Sequence, residues 1–265
     1  MNIIPEITRE SITHIINDGD RVDGRSLDQY REISIETDVI SKAEGSARVK
    51  LGDTQIIVGV KPSVGEPFGD TPNLGVLMTN SEMLPMADPR FEPGPPSEDS
   101  VELARVVDRA IRESEIVDLE KLCIKEGEKV WMLFIDLHII DYDGNLFDAA
   151  TLAVVAALLN TKLPSANFEG DELVIDEENK VPLNLKEKVT MSTFVKIGEK
   201  MVLDPSLEEE SILDGRLSIG ITESSKICAM QKGGDKPLLP EDILEAVDIA
   251  ITKNKELVEE LNKIS

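Results

Sequence analysis

Apolar residues along this chain recur with two periods, near 3.6 and near 2, and the switches between them divide it into elements. Glu6 to Asn17 carries the helical period, with Ile12, Ile15 and Ile16 on one face and Asp18-Gly19 as a stop. A short amphipathic helix is expected there, docked on the body of the protein or on a partner. Alternation then takes over through Arg31 to Ile40, Ser46 to Leu51 and Gln55 to Val60, and the last two read as a hairpin about Gly52-Asp53. Gly75 to Leu84 reads as a further strand. Residues 85–96, Pro-Met-Ala-Asp-Pro-Arg-Phe-Glu-Pro-Gly-Pro-Pro, exclude regular structure, because each proline removes a backbone donor and fixes φ. A helix follows directly, with Asp99 and Ser100 available to cap it.

Val130 to Tyr142 reads as a buried central strand that ends at the Asp143-Gly144 turn, and Asp148 to Asn160 is apolar on all faces, as a core helix must be. Residues 165–187 turn polar and acidic and are expected to connect two domains. Beyond them Val189, Met191, Thr193 and Val195 alternate, the chain turns at Ile197–Lys200 into Met201 to Leu203, and Leu217 to Ile221 pairs with Lys226 to Gln231. Pro240 opens a long last helix with Ile243, Leu244, Val247 and Ile251 as its buried face. Each half thus runs from strands to helix. The expected fold is α+β in two halves, mixed sheets with helices packed on them: residues 1–20 an N-terminal helix, 21–164 a first domain, 188–260 a second.

Composition narrows the function. The 265 residues suffice for one sizeable core or two small ones, and 41 % hydrophobic with 30 % charged residues is ordinary for a soluble globular protein. Aromatics at 3 % argue against a surface that stacks nucleic-acid bases. Acidic residues outnumber basic ones 52 to 28, for a formal charge of −24, which repels polyanions at long range. Contact with RNA therefore requires a local basic patch or an assembly, and a free, non-specific nucleic-acid binder is disfavoured. Cys123 and Cys228 lack metal-ligand spacing and read as reduced core residues. Met1-Asn-Ile-Ile-Pro5 shows no secretory pattern and no apolar run has membrane-spanning length, so a cytoplasmic protein is expected. His138 reads as a satisfied core or interface histidine and His14 as surface or partner-facing. Gly233-Gly234 reads as a turn, since no phosphate-loop Lys-Ser/Thr follows it.

Against this acidic background Arg105, Arg109 and Arg112 lie at i, i+4 and i+7 of the helix after the proline-rich segment, along one stripe. Guanidinium groups match phosphate in geometry and charge. The stripe reads either as a phosphate or RNA-backbone contact, or as a helix face neutralised by its own Glu102, Asp108 and Glu113.

Four motifs together resemble the RNase PH family: the Asp23-Gly-Arg25 loop, Gly45-Ser-Ala-x-Val-x-x-Gly-x-Thr54, Phe91-Glu-Pro-Gly-Pro-Pro96 leading into the arginine helix, and Asp143-Gly144 before the alanine-rich helix. The resemblance runs from about residue 20 to the end. Within the family the chain is most similar to the larger, non-catalytic ring subunit of the archaeal exosome. That resemblance implies two RNase PH-like halves, the first like domain 2 of ribosomal protein S5 and the second α/β. It also implies phosphorolysis of RNA from the 3′ end as the family's chemistry, with phosphate held by backbone N–H groups and an arginine, and carboxylates holding a divalent metal.

Catalytic relatives carry Gly-Ser/Thr-Arg after the Asp-Gly turn, where this chain has Asn145, Leu146 and Phe147. They place two aspartates six apart, where it has Asp204 and Glu210, and Glu208 to Glu210 read as a solvated acidic loop. The resemblance therefore implies a catalytically silent subunit without cofactor or metal, alternating with an active paralogue in a hexameric ring, a trimer of heterodimers, under RNA-binding caps. Arg105 and Arg109 match arginines that contact single-stranded RNA, Arg112 continues their stripe, and Lys61 and Arg90 are further candidates to line the groove. No membrane and no DNA partner is expected. The rival readings are an active phosphorolytic exoribonuclease using Asp204 and Glu210, and a scaffold that never touches RNA.

Overall fold

The computed structural model describes residues 6–169 and 172–264, so the expectations on Met1–Pro5 lie outside it. The period of two is realised in β2 (Gly45–Leu51) and β3 (Thr54–Gly65). They pair antiparallel about Gly52-Asp53 and turn Ala47, Val49, Leu51, Ile56, Val58 and Val60 to one buried face. β1 (Ile33–Thr37), shorter than its alternation suggests, pairs with β2. β6 (Lys129–Asp141) pairs antiparallel with β3, and β4 (Val76–Met83) pairs parallel with β6. The first sheet is therefore mixed, in the order β1-β2-β3-β6-β4, with the short β5 (Cys123–Lys125) beside β6. β6 is central, as expected, but it is buried on one side: Trp131, Leu133, Ile135, Leu137 and Ile139 face the core, while Met132, Phe134, Asp136 and His138 are half-buried on the outer face.

Beneath this sheet lie α2 (Glu98–Glu113) and α3 (Leu146–Leu159). α3 packs on β2 and β3 on one side and on β9 (Val189–Ile197) of the second sheet on the other, so it meets protein all round and is apolar all round. The second sheet, in the order β10 (Lys200–Leu203), β9, β11 (Gly215–Thr222), β12 (Ile227–Gly233), is antiparallel throughout. α5 (Pro240–Asn262) packs against β9 and β11. Residues Val189 to Val195 are consequently all buried, and the alternation there separates two packing faces rather than core from water.

Two local expectations are corrected. Of the face expected on α5, Ile243, Val247 and Ile251 are partly buried against the core of the second sheet, but Leu244 is 67 % exposed, and the fully buried stripe is Ala246, Ala250, Asn254, Leu257 and Leu261. The small alanines let the helix lie close on the sheet, where Asn254 accepts from Thr190 Oγ1 (2.7 Å) and donates to the Thr222 carbonyl (2.9 Å). The polar connection is itself folded: β7 (Lys162–Glu169) and β8 (Glu172–Pro182) form a separate two-stranded ribbon, although residues 170 and 171 lie outside the described set. Finally, Ser97 rather than Asp99 or Ser100 caps α2, its hydroxyl accepting from the Ser100 N–H.

α1 (Glu6–Asn17) docks on the body, with Ile12 and Ile16 buried against Val195, Ile197, Val202 and Ile212. Just after it, Arg21 is wholly sequestered: its guanidinium donates to both oxygens of Glu209 (2.9 and 2.5 Å) and to the carbonyls of Leu203 and Asp204 (both 2.9 Å). A buried carboxylate left without its cation is costly. Arg21→Met is therefore expected to destabilise the chain by about 3–5 kcal/mol in urea unfolding. Adding Glu209→Gln, which keeps an acceptor for the helix cap, should return part of that loss.

Candidate functional site

A cleft of about 850 Å³ opens between the proline-rich segment, the start of α2, Tyr142, and the N-terminus of α3. Between Tyr142 and the start of α3, which both line it, lies the Asp143-Gly144 turn. Thr54 pins that turn, accepting from the Asp143 N–H (3.0 Å) and donating to the Gly144 carbonyl (2.6 Å). Gly144 has φ +88°, and a Cβ there would lie 2.5 Å from the Pro205 carbonyl oxygen, so only glycine lets the turn press on the segment leading into α4 (Leu207–Ile212). Next comes Asn145, the left-handed N-cap of α3, fully buried.

A helix N-terminus attracts anions, and here the chain supplies its own. Glu210 accepts from the Asn145 N–H (2.8 Å) and the Tyr142 hydroxyl (2.5 Å). Burial pushes the Glu210 carboxyl above the usual range, against the pull of these two donors and of Arg216 and Arg31. Burial and the neighbouring Glu210 charge raise the Tyr142 phenol. Phe147 is buried beneath Arg216, whose guanidinium lies 4.3 Å from the ring centroid and donates to Glu102 (2.6 Å). The expectation of a solvated acidic loop at 208–210 is thus overturned for two of its three residues: Glu209 is paired with Arg21, Glu210 lines the cleft, and only Glu208 is exposed.

Asp204, at φ +49° and 0 % exposed, is saturated. Arg25 donates to it (2.8 Å), Arg31 donates through its backbone N–H (2.9 Å), Nε (3.0 Å) and Nη2 (2.8 Å), and Asn145 Nδ2 donates at 2.7 Å. A divalent metal of the kind catalytic members of the family use does not fit: its first ligand would have to release two guanidinium groups, and Glu210 is already held by Tyr142 and Asn145. Among the described residues no cluster of three or more His, Cys, Asp or Glu side chains is arranged to hold a metal ion.

The arginine stripe is not uniform. Arg112 is committed, bidentate to Asp108 (2.9 and 3.0 Å) and donating to the Leu77 carbonyl. Arg105 and Arg109 flank a second, shallower groove of about 450 Å³ against β12, with Gln231 on its far wall. Arg109 donates to Gln231 Oε1 (3.2 Å), and Arg105 is exposed with no hydrogen bond or ion pair among the described residues. Lys61 does not line either groove; it is exposed and paired with Glu44. Arg90 lines the large cleft but is bidentate to Asp88 (both 2.7 Å), which holds the Asp88 carboxyl below the usual range. His138 sits half-exposed on the outer face of the first sheet, 3.3 Å from Glu82, and His14 is exposed on α1. Cys228, half-buried, is an unreactive thiol, pushed up to about 11 by desolvation.

Spacing alone did not bring out Gln231, Arg216, Tyr142 or Arg31 as site residues. Each is placed by strand pairing or by a turn distant in sequence.

Comparison with known proteins places these features. Residues 29–164 match domain 1, and residues 189–253 domain 2, of the 3′ exoribonuclease (RNase PH) family. The chain is 67 % identical over 263 residues to the exosome complex component Rrp42 of Methanothermobacter thermautotrophicus, spanning 99 % of this chain and 97 % of that protein. It superposes with a TM-score of 0.90, at 46 % identity and over 96 % of its length, on a chain covered to 98 % in the Archaeoglobus fulgidus exosome with RNA bound to the active site. A second neighbour, an archaeal exosome core, gives a TM-score of 0.86 at 43 % identity, with 97 % of both chains covered. Among the described residues no helix is long and apolar enough to cross a membrane.

The buried acids give a pH prediction. Desolvation pushes Asp148 up to about 7, although Asn145 and Thr193 donate to it. Between about pH 4 and 7 the folded chain therefore holds a proton that the unfolded chain releases, so this group's contribution is largest at the acid end and is lost as pH rises through 7. Glu210 and Asp143, also raised, act in the same sense. Asp23, Asp28, Asp88 and Asp242 are lowered and titrate below this window. Unfolding free energy is expected to fall between about pH 5 and 7.5, and Asp148→Asn, whose amide mimics the protonated acid, to flatten most of that slope.

Proposed function

The chain belongs to the 3′ exoribonuclease (RNase PH) family, and from that premise we propose that it is a catalytically silent subunit of an archaeal exosome, contributing RNA contacts to a neighbour's active site. The observation that carries the silence is Glu210 on the N-terminus of α3. A phosphate approaching this site meets a carboxylate where family chemistry needs a positive field, and Phe147 where it needs a guanidinium. The saturation of Asp204 supports the same reading.

What the chain offers RNA is the groove edged by Arg105 and Arg109. Both lie on the exposed side of α2, one turn apart, and neither is neutralised by a carboxylate; Arg112 is tied to Asp108 and is at most an auxiliary. Two charge-assisted phosphate contacts at about 1.5–3 kcal/mol each are enough to hold a strand inside an assembly, and too few for a chain of net charge −24 to bind RNA by itself. The proposed setting is a ring of three heterodimers with a catalytic paralogue, capped by RNA-binding subunits, in the cytoplasm. In it this chain buries part of the paralogue's surface and shapes its site.

With 3′-unstructured RNA, phosphate and Mg²⁺, the chain is expected to release no nucleoside diphosphate. The same result is expected when it is mixed with a paralogue carrying an inactivated metal site. Phosphate-dependent release would move it to the enzyme class. In the assembly with an active paralogue, Arg105→Glu with Arg109→Glu should weaken single-stranded RNA binding by at least about tenfold. Unchanged binding would leave only a scaffold.

A further inference from the structure

The groove that holds Arg105 and Arg109 also holds two carboxylates, Glu98 and Glu102. A cation beside a carboxylate is a poor ligand for phosphate unless something separates them. Gln231 stands between Arg109 and Glu102: its Oε1 accepts from Arg109 Nη1 at 3.2 Å, while its Nε2 donates to Glu102 Oε1 at 3.4 Å. Only this orientation of the amide suits both neighbours, since the flipped one would set N–H against guanidinium and C=O against carboxylate. Glu102 is meanwhile drawn away by Arg216, which donates to the same oxygen at 2.6 Å while stacked on Phe147. The order Arg109–Gln231–Glu102–Arg216 therefore consumes the carboxylate at the far end of the row and leaves the near end cationic.

We propose that Gln231 is a positioning residue of the RNA groove, whose neutral amide orients Arg109 and insulates it from Glu102. This rests on Arg109 contacting RNA and specifies how that contact is kept available. The residue type matters because glutamate in the same place would reach the same guanidinium and cancel it.

The test is the salt dependence of binding of a fluorescent single-stranded RNA to the assembly of the full chain with its catalytic paralogue, thermal unfolding serving to verify folding. Each phosphate contact contributes about 0.7 to the slope of log affinity against log salt on a single strand. Arg109→Gln should lower the slope by about that amount and weaken binding roughly tenfold. Gln231→Glu should reproduce both effects. Gln231→Met, which removes the tether but adds no charge, should leave the slope unchanged and cost no more than about fivefold, the range of an exposed contact. If Arg109→Gln acts and Gln231→Glu does not, the role of Gln231 is overturned while the RNA groove stands. A slope lost equally in Gln231→Met overturns insulation in favour of plain structural support. If Arg109→Gln itself changes nothing, the RNA reading of the groove fails.

Discussion

The junction of the two halves depends on one carboxylate. Asp204 ends β10 in a left-handed conformation and is wholly withdrawn from water, a placement that is tolerable only if its charge is answered on the spot. The answer comes from across the chain: Arg25 and Arg31 from the lead-in to the first sheet, Asn145 from the cap of the middle-layer helix. Arg31 in turn reaches the Asp143 and Gly144 carbonyls, and Arg21 clasps Glu209 beside it. The same side chains that neutralise Asp204 thereby fix the turn before α3, the entry to α4 and the approach of the second sheet. Apolar packing on α3 gives the two sheets their adhesion, and this buried charge network sets how they meet.

The network also shows how an acidic chain spends few cations. With 28 basic residues against 52 acidic ones, most guanidinium groups are committed internally: Arg21, Arg25 and Arg31 at the junction, Arg90 to Asp88, Arg112 to Asp108, Arg216 to Glu102. Against that background Arg105, without a hydrogen bond or ion pair among the described residues, and Arg109, held among them by an amide, depart from the pattern. Long-range attraction of RNA is excluded by the net charge, and beyond about 8 Å at physiological salt any local field is largely screened. On the proposed reading such a pair acts only on a strand already brought close, which suits a subunit and not a free binder.

Much of the fold was legible because period and punctuation agreed. The Gly52-Asp53 hairpin, the break at residues 85–96, the apolar α3 and the start of α5 at Pro240 follow from local chemistry. What misled was burial on two sides. Alternation over Val189 to Val195 assumes one wet face, whereas β9 has none there, and on α5 Leu244 is exposed while alanines and an asparagine are buried more deeply than Ile243, Val247 and Ile251. Of the candidate site, Phe147, through the resemblance, and the stripe of Arg105 and Arg109 are what the sequence brings forward. Spacing alone leaves Glu210 in an acidic run and says nothing of Gln231, because what gives each its role is a partner far away in sequence, Asn145 for one and Arg109 for the other.

On the proposed reading, silence at this site is more than one missing arginine. Returning a guanidinium at residue 147 would place it beside Glu210, which would pair with it in preference to a phosphate from solution, since the carboxylate is already held there by Tyr142 and Asn145. Removing Glu210 as well would leave the Asn145 N–H and the Tyr142 hydroxyl without their acceptor, each at the cost of an unpaired polar group. Asp204 would still face two guanidinium groups that the junction cannot release without leaving charges unpaired in its interior. The side chains that the proposed reading compares with a phosphate and metal site, Asn145, Asp204 and Glu210, are all engaged in contacts within this chain. On that reading the cleft serves as a scaffold, while the groove beside it on α2 offers Arg105, exposed, and Arg109, held by the Gln231 amide.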